Sequence, residues 1–378
     1  MIENLKTKQK DLKKINIPDE SPSYYDMIVF CHLRWQFVYQ RPQHIISRMA
    51  PEMKVLFIEE PVGTDELSNS PANLIIINDH LHILQPKVNS IEAIAAIIPL
   101  YVKNKHIPIG WFYSPSFSPL LETLNFETVV YDCMDELSLF KEVSEHLINQ
   151  EKYLIAHVDI IFTGGKSLYE SKQKLHSNVH CFPSSVDHDH FSVASDKINI
   201  PADIANIPSP VVGYFGVIDE RINLNLLEET AKKMPGVSFV MIGPLAKIED
   251  HDLPKEENIH YLGMKSYNEL PQYIHAFDIA MMPFALNEAT KYISPTKILE
   301  YMAAKKPIIS TKIKDVIRDY NICVSLIENA DEFADEINFL LDQKEDLSML
   351  LAYNKILKKT SWDATAEKMK VLIKKLQK

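Results

Sequence analysis

Two successive series of short apolar runs, separated by longer amphipathic stretches and divided once by a proline-rich break, constrain this chain more than any other feature. Asp26–Cys31, Lys54–Glu59, Ile109–Tyr113, Thr128–Asp132 and Asp159–Thr163 read as buried strands. Pro42–Met49, Ile91–Val102, Glu136–His157 and Lys166–Leu175 carry helical periodicity between them. Strands that are apolar throughout and alternate with helices imply a parallel sheet covered on both faces. Residues 192–210 then bring three prolines and little periodicity. After them the series restarts with Val211–Phe215, Ser238–Ile242, Asn258–Leu262, Asp278–Pro283, Pro307–Ser310 and Cys323–Ile327. The expectation is an α/β chain of two doubly wound, Rossmann-like domains. A Lys-rich segment 1–20 leads into a first domain 21–191, a linker 192–210 joins it to a second domain 211–360, and a helix 361–378 closes the chain. In that helix Trp362, Ala366, Met369 and Ile373 share one face, which suits docking on the second domain. Open parallel sheets bind ligands beyond the carboxyl ends of their strands, so a cleft between two such sheets is the default site.

A length of 378 residues suits two domains, and 46% hydrophobic residues suit a folded core. A net charge of −11 argues against a nucleic-acid partner, which needs a basic footprint. The four cysteines lie far apart in apolar stretches, as reduced core thiols of a cytoplasmic protein would. The first twenty residues have no apolar core of signal-peptide length, and no run reaches the ~18 apolar residues of a membrane span. Lysines crowd both ends; solvated helix faces explain them most simply, and peripheral contact with an anionic inner membrane face is the alternative. Glycine is scarce, with 9 in the chain.

The segment Ser294–Ala303 carries the most chemistry. Serine followed by proline starts a helix well, Ser294 as cap and Pro295 in the first turn. The amides of Thr296 and Lys297 would then point outward with the positive end of the helix dipole, a phosphate-binding arrangement. Lys297 and Glu300, three apart, share a face. A lysine near a diphosphate and a carboxylate one turn deeper, able to accept two ribose hydroxyls, suit a nucleoside diphosphate. A plain capped helix with an exposed ion pair is the competing reading of this segment taken alone.

Ser294–Thr311 resembles the "SPxKxxEYMAxGxPVVST" stretch of GT-B glycosyltransferases of family 4. Trp35–His44 is similar to the "W…QRPQ" start of a bacterial subgroup resembling teichuronic-acid-type transferases, Val211–Arg221 to its "GYFGxIDER" block, and Phe182–Asp187 to its "PNGVD" loop. The resemblance implies two Rossmann-like domains facing a central cleft. It implies a retaining, metal-independent transfer from a nucleotide-sugar donor, UDP favoured over GDP, to a saccharide or lipid-linked acceptor in cell-surface polysaccharide synthesis. No cofactor and no metal are expected. Gly216, Arg221, Gly243, Ser294, Thr296, Lys297 and Glu300 would bind the donor. His32, Trp35, Arg41 and Asp135 would lie on the acceptor side, and Arg221, Lys297 and Asp132 would act in catalysis, Asp132 as a strand-end base, with a helix N-cap formed by Asp135 before Glu136 as the alternative reading of Asp132–Asp135.

The sequence departs from that pattern. Tyr292, not a carboxylate, stands eight positions before Glu300, and Lys305 replaces the glycine that ends the Glu300 helix. The Asp187-His188-Asp189 triplet has metal-ligand composition, but neighbours in an extended segment point to opposite sides. A non-catalytic nucleotide-sugar binder and a sugar-nucleotide epimerase are the alternative functions.

Overall fold

The computed structural model describes residues 22–64, 70–136, 143–193, 199–287, 290, 292–294, 296–343 and 347–377. The segment 1–20 and Pro295 thus lie outside the described residues. Among the described residues fourteen strands form two sheets, and half of them are buried along their whole length. β1 (Met27–Cys31), β2 (Val55–Glu59), β3 (Ala72–Asn78), β4 (Leu81–Pro86), β5 (Ile107–Phe112), β6 (Phe126–Cys133), β7 (Ile160–Thr163) and β8 (Val179–Cys181) run in the order β3-β4-β2-β1-β5-β6-β7-β8. β3 pairs antiparallel with β4; the pairings among β4, β2, β1, β5 and β6 are parallel. β9 (Val211–Phe215), β10 (Ser238–Ile242), β11 (Ile259–Gly263), β12 (Ile279–Met282), β13 (Ile308–Thr311) and β14 (Ser325–Ile327) form an all-parallel sheet in the order β11-β10-β9-β12-β13-β14. That order reverses direction between β9 and β12, which opens a crevice beyond their carboxyl ends.

The chain divides into two compact units, Met1–Asp132 with Ser144–Ile161 and Met369–Lys378, and Cys133–Val143 with Phe162–Lys368. The segment expected as a linker, 192–210, falls inside the second unit, where Ala202–Ala205 forms a short helix. The terminal helix, Trp362–Lys374, was expected on the second domain alone. Its residues from Met369 onward belong instead to the first unit, where Lys370, 6% exposed, pairs with Glu52. Part of the C-terminal lysine cluster is therefore spent on an internal ion pair.

Several helices are shorter than their periodicity predicts. Within 91–102 only Ile94–Ile97 is α-helical, and the helix expected from Glu136 begins at Glu145, capped by the Ser144 hydroxyl. The residues that Asp135 would cap, 137–142, lie outside the described residues. The helix Lys297–Ala303 ends with Lys305 at φ +58, its amide bonded to the Met302 carbonyl and that of Lys306 to the Tyr301 carbonyl. A left-handed residue closing a helix this way is normally glycine, because the side chain is strained there.

In the first unit, the loop after β1 is braced from inside. Glu59, fully buried at the end of β2, accepts from the Trp35 amide (2.8 Å), Arg34 Nη1 (3.1 Å) and Gln85 Nε2 (2.9 Å). Gln43 Nε2 reaches the Trp35 and Val38 carbonyls, both at 3.1 Å, while its Oε1 accepts from the Gln40 amide. Arg41, the first residue of the helix Arg41–Met49, donates from Nε at 3.0 Å and Nη2 at 2.8 Å to Asp132 Oδ1, and from Nε at 3.1 Å to Oδ2. Asp132 is 0% exposed and Arg41 7%. These contacts correct two expectations. A carboxylate with both oxygens under one guanidinium and no exposed surface cannot collect a proton from a substrate, so Asp132 is a structural anion and not a base. Arg41, as its counter-ion, is equally unavailable to an acceptor. Burial raises the Asp132 carboxyl against the opposing pull of Arg41.

Removing one partner of such a pair strands a charge in the interior, at about 3–5 kcal/mol. Arg41→Met is expected to lower unfolding free energy by that amount in urea titrations. The double variant Arg41→Met/Asp132→Leu is expected to recover most of the loss.

Candidate nucleotide site in the second unit

β9 is apolar from Val211 to Phe215, and its backbone leaves the sheet at Gly216 with φ +137, a conformation that L side chains rarely adopt. The Gly216 amide bonds to the Ile242 carbonyl at 2.8 Å, and the Gly243 amide to the Gly263 carbonyl at 2.9 Å. Gly243, with φ +150, has no room for a side chain, because a Cβ there would lie 1.8 Å from the Gly216 oxygen. A Cβ on Gly216 would lie 2.1 Å from Lys297 Cε and 2.9 Å from the Tyr214 hydroxyl. The ends of β9 and β10 therefore approach as bare backbone, and the lysine side chain lies directly across them.

Lys297 begins its helix, preceded by Thr296 in right-handed helical dihedrals. The helix expected with Ser294 as cap thus starts two residues later. The residues ahead of it meet a distant segment: the Ser184 hydroxyl donates to the Ser294 carbonyl at 3.1 Å, and Thr296 Oγ1 donates to Ser184 Oγ at 2.8 Å. Ser294 and Thr296 are placed at the site, with the Thr296 hydroxyl proton already committed to Ser184. The half-buried Lys297 ammonium stands 5.8 Å from the centre of the Tyr214 ring. Burial lowers its pKa, with Arg221 adding to that effect and Glu300 and Asp219 opposing it.

Glu300, one turn on, is 6% exposed. Its carboxylate accepts no hydrogen bond among the described residues and forms no direct ion pair with Lys297, so the exposed i,i+3 pair of the simpler reading is not formed. Burial pushes its pKa up to about 7, against the attraction of Lys297. Arg221 is aimed by Asp219, which takes Nε at 2.9 and 3.0 Å and Nη2 at 2.6 Å. That arrangement leaves Nη1 outside the clasp and the side chain 28% exposed. Asp135, expected on the acceptor side, belongs to this unit, and its charge helps hold Arg221 protonated.

The second unit thus gathers Gly216, Gly243, Lys297, Glu300 and Arg221 around the switch point of its sheet. His32, Trp35, Arg41 and Asp132 belong to the first unit and are not part of this cluster. Sequence reasoning missed Asp219, Tyr214 and Ser184. Asp219 had a signal, since it stands two positions before Arg221; the roles of the other two depend on long-range packing. The Asp187–Asp189 triplet forms no metal cluster here: Asp189 is fully exposed, and His190 Nε2 meets the Tyr267 carbonyl at 2.9 Å, its ring stacked on Tyr267. No group of three potential metal ligands occurs among the described residues.

Residues 209–343 match the family model of "Glycosyl transferases group 1", a stretch that includes this cluster. Over 220 residues it is 26% identical to the Bacillus subtilis (strain 168) protein TuaH, named as a teichuronic acid biosynthesis glycosyltransferase. That match covers 54% of this chain and 55% of TuaH, so the chain spans about half the length of the curated relative it matches. Among solved structures, sucrose-phosphate synthase from Thermosynechococcus elongatus superposes with a TM-score of 0.70 at 16% identity, covering 94% of this chain and 99% of that one. Anabaena HepE, described in complex with UDP and glucose, superposes with a TM-score of 0.66 at 13% identity, covering 93% and 100%. The fold is that of these GT-B structures.

The close approach of strand ends makes a graded prediction. Gly243→Ala, which collides with backbone, is expected to destabilise by about 3 kcal/mol. Gly216→Ala collides with the flexible end of Lys297 and is expected to destabilise less, while displacing the ammonium. Chemical denaturation of the two variants compares them.

Proposed function

We infer that the chain is a glycosyltransferase that binds a nucleoside diphosphate sugar at the Gly216–Lys297–Glu300 cluster and passes the sugar to a saccharide or lipid-linked acceptor in cell-surface polysaccharide synthesis. The observation that carries this reading is Glu300, a buried carboxylate with no donor among the described residues, one turn below a lysine that crosses bare strand-end backbone. Two ribose hydroxyls would supply the missing hydrogen bonds, and the phosphates would meet Lys297, Arg221 and the unsubstituted glycine backbone. UDP is the nucleotide we favour over GDP, in keeping with the nucleotide described in the Anabaena structure.

Bond breaking at the sugar builds negative charge on the departing diphosphate. Fixed cations that meet this charge lower the barrier without reorganising, and one such donor is worth about 3 kcal/mol. Lys297 and the Asp219-clasped Arg221 are the donors in this scheme, with no metal required. We assign retention of anomeric configuration, with a phosphate oxygen taking the acceptor proton as the diphosphate leaves on the same face. No protein nucleophile is then needed. No helix among the described residues is long and apolar enough to cross a membrane. We place the reaction in the cytoplasm, at the membrane face where the acceptor is lipid-linked.

Tyr292 favours a second reading, a subunit that binds the nucleotide sugar without transferring it, because the first carboxylate of the family pattern is replaced. Calorimetry with UDP and GDP followed by a donor-hydrolysis assay separates the two: tight UDP binding with no turnover of any donor supports the second.

Glu300→Ala is expected to weaken UDP binding at least tenfold, the loss of charge-assisted hydrogen bonds worth about 1.5–3 kcal/mol. Equal affinities would remove Glu300 from the site. Lys297→Ala is expected to lower kcat about a hundredfold and to change KM much less.

The raised Glu300 pKa adds a pH dependence. The carboxylate is the form that accepts hydroxyls, and with a free-protein pKa of about 7 most of it is protonated at pH 6. Donor binding favours ionisation, so affinity is expected to rise about tenfold from pH 6 to 8 with release of up to one proton. UDP-glucose is the suitable probe, because its phosphates do not titrate in that range, and Glu300→Gln is expected to flatten the profile.

A further inference from the structure

The first unit contains a half-open cavity of about 460 Å³ that the scheme above does not use. It lies between the loop after β1, the C-terminal end of the helix Arg41–Met49 and the β3–β4 turn. Trp35 and Tyr39 line one side, Asn78, Asp79 and His80 the other, with Ser47 between them. Both aromatic walls are fixed. The Trp35 ring meets Phe57 edge-on at 5.0 Å and its backbone is bonded at both ends, to Glu59 and Gln43. The Tyr39 ring meets His44 edge-on at 4.6 Å, and its hydroxyl lies 3.3 Å from Ser47 Oγ. The opposite wall is a shaped polar turn, in which Asn78 Oδ1 accepts from the His80 and Leu81 amides at 2.9 and 3.0 Å.

We propose that this cavity is a binding subsite for an uncharged saccharide, one that grips the acceptor chain away from the reacting end. A sugar ring presents a C–H face suited to an aromatic wall and equatorial hydroxyls suited to amide, carboxylate and imidazole groups. A nucleotide or an acidic sugar does not fit the lining, which contains no lysine or arginine and includes Asp79. Ala50, Pro51, Ile77 and Leu81 complete the lining with apolar surface, and the exposed polar turn on one side favours a sugar ring over an acyl chain. The purpose of the subsite rests on the transferase reading, but its occupancy does not. Saccharide binding is measured without donor, so either idea can fail alone.

Trp35 supplies the readout. Of the three tryptophans, Trp111 and Trp362 are 0% and 1% exposed, whereas Trp35 is half-buried. The full-length protein, titrated with cellotetraose, maltotetraose and chitotetraose, is expected to give a saturable change in tryptophan fluorescence with at least one of them. Trp35→Phe is expected to abolish the signal. Asp79→Ala, on an exposed turn, is expected to weaken binding at least fivefold by calorimetry with no change in thermal unfolding or in donor hydrolysis. The proposal is overturned by a failure of all three tetrasaccharides to bind, by affinity unchanged in Asp79→Ala, or by a response to tetramethylammonium or decanoate in place of the saccharides.

Discussion

Glu300 is held nearly free of water with no group among the described residues donating to it, one turn from a lysine whose side chain lies against the bare backbone of Gly216. This geometry runs against the general rule that buried charges are paired and hydrogen-bonded. It is tolerable because burial pushes the carboxyl pKa up to about 7, which brings the uncharged form within reach at neutral pH. The parallel order of β9, β10 and β12 sets the place of the site. Their carboxyl ends meet at the reversal of the sheet, and the Lys297 helix brings its first turn to the same place.

The first unit shows the opposite use of charge. Glu59 and Asp132 are both fully buried, and each is saturated by groups from the loop and helix that follow β1. The Gln-Arg-Pro-Gln run at 40–43 reads in sequence as an acceptor motif, yet two of its members work inward. Arg41 neutralises Asp132, and Gln43 ties down three residues of the loop. What this bracing leaves turned toward the adjoining cavity is the pair of rings, Trp35 and Tyr39.

Strand content was legible where strands are buried on both faces. β9 and β10 begin and end at the residues that their apolar runs predict. The β3–β4 hairpin escaped although Leu74–Ile77 is an apolar run: β3 is a half-exposed edge strand, and His82 and Gln85 interrupt the apolar pattern of β4. The Lys297 helix was legible in kind but not in its first residue. Capping propensities are local, whereas Ser294 and Thr296 are also bonded to Ser184, more than a hundred positions away. Asp132 fails for the same reason. A carboxylate at a strand end looks poised for chemistry until the partner 91 residues upstream is seen to cover it.

Glycine supply is the last constraint, and it turns a shortage into a guide. The chain closes the Lys297 helix with Lys305 in a left-handed conformation, accepting strain where glycine would relieve it. Of its nine glycines, five (Gly110, Gly165, Gly213, Gly216 and Gly243) occupy places where a methyl group would come within 3.0 Å of another atom. Gly110 and Gly213 make room for the rings of Phe126 and Phe277, and Gly165 fits against Ser294. In a protein this sparing, the residue without a side chain marks where two surfaces must touch, and two of those marks, Gly216 and Gly243, meet at the strand ends beside one lysine.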